Sequence, residues 1–109
     1  MEVEKLRRDI IESLRELGVP DDIIKLTLIE YWKTGEIKRI VFQIIDIVPL
    51  NLFTKILANL RQDLEQRGYH ILSNAAELIE ENRWVIMLGI MRRKGKIIEI
   101  IIKVKTRTK

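Results

Sequence analysis

The residue types best suited to chemistry are sparse in this chain. His70 is the only histidine, so no two-histidine metal site can be built, and it stands next to Tyr69 in an apolar, strand-like stretch. A lone imidazole can act as a general base, but this setting favours a structural role. Ser13 and Ser73 lack the glycine-flanked context of a nucleophile elbow. Cysteine is absent, which excludes thiolate catalysis, disulfides and zinc–thiolate sites. Asp21-Asp22 and Glu80-Glu81 are adjacent acidic pairs. Such pairs can hold a hard cation or share a proton. Each, however, lies at an expected helix or turn terminus, where solvation and the helix dipole account for it. The five glycines occur singly, so no phosphate-cradling loop is present. These observations predict a protein that is not an enzyme, with no cofactor, no metal and no small-molecule substrate.

Binding chemistry is better represented. From Arg83 to Lys109 there are nine Lys/Arg against one acid, Glu99, whereas the preceding residues carry eleven against fifteen. A basic end on an otherwise acidic chain points to a polyanion partner. The alternative is protection of exposed strand edges, which lysine also provides.

The elements that would position these cations follow from periodicity. At 109 residues, 47% hydrophobic and 33% charged, the chain suits one domain, 1–109, with one core. Val3, Leu6, Ile10, Leu14 and Leu17 recur at helical spacing and predict a helix over 3–17, stopped by Gly18. Pro20-Asp21-Asp22 opens a second expected helix carrying Ile24, Leu28, Tyr31 and Trp32, ending at Thr34-Gly35. Residues 37–48 are rich in β-branched side chains, yet Ile37, Ile40, Val41, Ile44, Ile45 and Val48 follow helical spacing. They are read as a third helix, with a buried strand as the alternative. Pro49 breaks that element, and a fourth helix is expected from Asn51 to Arg67. Tyr69–Leu72 suits a short strand, while 74–81 fits either a capped helix or a continuation of that strand. Residues 84–91 are apolar on both faces, as in a covered strand. A turn at Arg92-Arg93-Lys94-Gly95-Lys96 leads to a strand with Ile98, Ile100, Ile102 and Val104 on one side and Glu99, Lys103, Lys105 and Arg107 on the other. The fold class expected is α+β: about four N-terminal helices, then an antiparallel hairpin or three-stranded sheet.

The run Leu64-Glu65-Gln66-Arg67-Gly68-Tyr69-His70-Ile71, followed by Lys94-Gly95-Lys96-Ile97-Ile98 and a lysine-bearing strand, resembles the core of restriction-endonuclease-like nucleases. With Lys103 as the motif lysine, the family's glutamate falls on Ile101 and its aspartate near Ile86. Both metal ligands are thereby lost, so the resemblance implies a catalytically dead relative that binds without cutting.

A winged-helix arrangement is the favoured reading. A helix ending near Ile47, a break at Val48-Pro49-Leu50 and a helix from Asn51 to Arg67 would place the second helix in a major groove. Asn51, Thr54, Lys55, Asn59, Arg61 and Gln62 would supply base and phosphate contacts. The hairpin would be the wing, with Arg92, Arg93, Lys94 and Lys96 at its tip and Lys103 and Lys105 along it. The stretch Leu60 to Tyr69, with leucines spaced before Arg67-Gly68-Tyr69, resembles the end of a recognition helix in winged-helix regulators. The partners expected are double-stranded DNA and a second copy of the chain; the alternative is a homodimeric interaction module. The N-terminus has no signal-peptide pattern and no run spans a membrane, so a cytoplasmic location is expected. The wealth of Ile, Lys, Arg and Glu resembles thermophile usage.

Overall fold

The computed structural model describes residues 3–91 and 95–107. The chain forms α1 (Val3–Leu17), a short 3₁₀ turn (Asp21–Ile23), β1 (Ile24–Tyr31), β2 (Ile37–Val48), α2 (Leu50–Gln66), β3 (Ile71–Glu80), β4 (Arg83–Met91) and β5 (Ile97–Thr106). The five strands make one mixed sheet in the order β1-β2-β5-β4-β3. Only the β2–β5 pair is parallel; the other pairs are antiparallel.

This overturns the four-helix expectation and, with it, the winged-helix arrangement. The two outer helices of the reading stand, but residues 24–31 and 37–48 are strands. The reason lies in phase. Sequence periodicity assumes a constant step, whereas β1 carries an irregularity between Leu26 and Leu28 and β2 one between Gln43 and Ile47. A bulge shifts which side chains face the core by one position or more, so spacings of two become three or four and mimic a helix. β2 also sits inside the sheet, where both faces carry apolar residues. Residues 74–80 are strand as well, part of β3, and Glu81 stands in the turn that follows.

α1 forms as its spacing requires. Gly18 closes it at φ 119°, its N–H donating to the Arg15 carbonyl while Val19 N–H reaches Leu14. That positive φ favours glycine. α2 begins directly after Pro49, whose carbonyl accepts from the Leu52 and Phe53 N–H groups. It carries the chain from β2 to the far edge of the sheet. The strands β3, β4 and β5 then step back inward until β5 meets β2.

Both helices lie on one face of the sheet. Leu6, Ile10 and Leu14 of α1 and Phe53, Ile56, Leu60 and Leu64 of α2 are buried in one core with Ile40, Phe42, Ile86, Leu88, Ile90, Ile98, Ile100 and Ile102 of the sheet. Phe53 and Trp84 stack obliquely with ring centroids 4.9 Å apart. The dead-nuclease overlay fails here. Ile86 points into the core and is paired with Ile102, while Ile101 points out of the opposite face beside Met87. The two positions do not share a site.

A candidate interaction face on the open side of the sheet

α1 and α2 are held together by a polar clasp. Arg67 meets Asp63 at 3.0 Å on its own side and Glu12 at 3.0 Å, Glu16 at 2.8 Å and Asp9 at 4.0 Å from α1. The hydrogen bond to Asp63, stronger than the burial that opposes it, keeps the guanidinium charged well above its ordinary range. Ser13, buried on α1, donates to Asp63. The Tyr69 hydroxyl donates to Asp9 at 2.5 Å; burial, with that acceptor, pushes its pKa up to about 12. Asp9 is itself disfavoured by burial, but the donors Lys5 and Tyr69 outweigh this and hold its carboxyl below the usual value. Every member has a partner within the clasp, and nothing there is aimed at a ligand. Among the described residues no cluster of His, Asp and Glu could hold a metal ion.

The residues expected to bind DNA do not form one site. Asn51, Thr54, Lys55, Arg61 and Gln62 are exposed on α2, with Asn59 half-buried. Three of them already donate to backbone carbonyls. Thr54 donates to the Asn51 carbonyl, Asn59 to the Lys55 carbonyl, and Arg61 to the Ile71 carbonyl at 3.2 Å. Lys96 is ion-paired to Glu36. Lys103 and Lys105 project from the other side of the sheet, away from α2. Arg92, Arg93 and Lys94 lie outside the described residues. Without a preceding helix, α2 has no helix-turn-helix partner, and its outer face and the basic strand point in opposite directions.

The register instead assembles a different surface on the helix-free face. Leu28 pairs with Val41, Val41 with Ile101, Ile101 with Met87, and Met87 with Ala75. Side chains directly across neighbouring strands share a face. These five therefore form an apolar row spanning every strand. Val41, second in the row, is 6% exposed yet lies outside the core under the helices, while Leu28 at the edge is 49% exposed. One step along the strands on one side runs Glu30, Arg39, Glu99, Gly89 and Ser73. Arg39 bridges Glu30 at 2.7 Å and Glu99 at 2.5 Å, bonds that raise its pKa further. One step on the other side runs Lys25, Gln43, Lys103, Val85 and Glu77. Beyond it, Lys105 and Arg83 join Gln43, Ile45, Ile79 and Val85 around a groove of about 340 Å³.

Ala75 and Met87 were not singled out by spacing, and Leu28 and Val41 were read as positions on expected helices, because each comes from a different strand and only the register unites them. The one signal available was the two-faced apolarity of 84–91. Comparison with known proteins finds no matching family model, no matching curated protein and no matching solved structure. No helix among the described residues is long and apolar enough to cross a membrane.

Proposed function

We propose that this protein is a self-associating interaction module that works through the open face of its sheet. The observation that carries this reading is the unbroken apolar row from Leu28 to Ala75 on the face without helices. An apolar centre rimmed by charged side chains is the anatomy of a protein interface. Five strands of 8 to 12 residues, spaced about 4.8 Å apart, offer at least roughly 600 Å² in plan. That approaches the ~800 Å² per partner of a standard complex. Sedimentation velocity over a wide concentration range tests it. The wild type is expected to dimerise, and Met87→Asp to remain monomeric with an unchanged circular dichroism spectrum. A Lys55→Glu/Gln62→Glu variant, altered on the outer face of α2, should dimerise as the wild type does. A wild type that stays monomeric at every concentration overturns the reading. The lack of cysteine suits a reducing compartment, and the cytoplasm is the proposed location.

Binding of double-stranded DNA is a second reading, with a changed location. It is favoured by Lys25, Lys103 and Lys105, none of which is ion-paired to a carboxylate among the described residues, gathered with Arg83 at one end of the open face. Anisotropy titration of a labelled duplex at several salt concentrations tests it. Binding should weaken steeply with salt, with a smaller slope in Lys103→Ala/Lys105→Ala. Absence of binding at low salt removes this reading.

A further inference from the structure

Resting on the self-association reading, we infer that two copies stack open face to open face about a two-fold axis lying along the apolar row, across the strands. The charge pattern selects this axis. Rotation about the row leaves each strand opposite its own copy and exchanges the two flanking rows. Lys103 then faces the partner's Glu99, and Lys25 faces the partner's Glu30. Arg39 faces the partner's Gln43, and Gly89, which has no side chain, faces the partner's Val85. Symmetry doubles each pairing, so two kinds of ion pair occur twice. Beyond them Ile97 meets the partner's Lys105, whose aliphatic stem can cover it. Rotation about β5 instead, the other two-fold arrangement of stacked sheets, sets Lys103 against its own copy and Glu99 against its own copy. Like charges at both positions oppose that packing.

The observations also limit how the row itself is filled. Stacked sheets pack about 10 Å apart, with side chains from both faces interdigitating. Ile101 and Met87, half-buried beside the almost fully buried Val41, supply that layer at the centre. Small or exposed groups, Ala75 and Leu28, mark its ends. Under the inferred axis each end of the row meets itself; under the rejected axis Leu28 meets Ala75.

Because the chain has no cysteine, single-cysteine variants read out the arrangement directly. Leu28→Cys and Ala75→Cys, both on edge strands, are treated with a short bifunctional thiol crosslinker. Each variant alone is expected to give a crosslinked dimer. Crosslinking only when the two variants are mixed would overturn the inferred axis while leaving self-association intact. Charge reversal gives an independent reading. Lys103→Glu and Glu99→Lys should each raise the dimer dissociation constant by about tenfold, and an equimolar mixture should restore affinity. Glu99→Gln, which spares Arg39 a new like-charged neighbour, should give a smaller weakening in the same direction. If the wild type dimerises, Met87→Asp prevents it, and the charge-reversed pair shows no recovery, the inferred axis falls and the reading stands. If the wild type is monomeric, both fall together.

Discussion

The clasp between the helices makes a quantitative prediction through Tyr69→Phe. Tyr69 is 7% exposed, and its hydroxyl donates to Asp9 at 2.5 Å. The substitution keeps the ring and removes that bond, leaving Asp9 with Lys5 at 2.8 Å. A hydrogen bond to a charged acceptor contributes about 1.5 to 3 kcal/mol, and that loss is expected near neutral pH. The same geometry fixes the pH dependence. Burial of the phenol, then its bond to the Asp9 carboxylate, raises its pKa from the ordinary 10.0 to about 12. A group whose folded-state pKa is raised contributes stability that is fully present below the unfolded value and is lost as pH rises through the folded one. At about 1.36 kcal/mol per unit, the wild type should lose roughly 2 to 3 kcal/mol between about pH 10 and about pH 12. Urea unfolding of both proteins at matched concentration measures this. The difference between the two curves reports on the phenol together with its neighbour Lys5, whose ammonium Asp9 and then Tyr69 hold above its ordinary pKa. The gap should be widest below pH 10 and close near pH 12. A gap that stays constant across that window would refute the assignment of the hydroxyl proton to Asp9.

Two further outcomes follow from the same packing. Arg67→Ala leaves Asp9, Glu12, Glu16 and Asp63 facing one another across the helix pair and should cost about 2 to 3 kcal/mol in urea unfolding at neutral pH. Gly89→Ala places a Cβ 2.6 Å from the Ser73 Oγ and 3.4 Å from Ile97 Cγ2. It should cost about 1 kcal/mol as overpacking, most of it recovered in Gly89→Ala/Ser73→Ala, a coupling that a double-mutant cycle measures.

Local chemistry made some elements legible before any tertiary contact was considered. α1 and α2 each present a stripe of Leu and Ile at three- and four-residue spacing, bounded by Gly18, Pro49 and Gly68. β5 alternates Ile98, Ile100, Ile102 and Val104 against charged neighbours, so its exposed face could be read from period two alone. The basic character of that outer face, with Lys103 and Lys105 projecting from it, was likewise evident. These features depend on neighbours within one turn or one strand, and sequence carries them directly.

The helix–strand choice for 24–31 and 37–48 was not of that kind. Their bulges re-phase the side chains, and their β-branched residues acquire helical spacing only because the sheet tolerates an apolar residue on either face at β2. The candidate interface is less legible still. Leu28, Val41, Ala75, Met87 and Ile101 have no shared period, and any one strand slipped by a single residue would send its member to the helix side. Spacing along the chain therefore determined which residues could be apolar, basic or helix-ending. Only the tertiary register, set by how α2 carries the chain across the sheet and the return of β5 beside β2, decided which of them stand together.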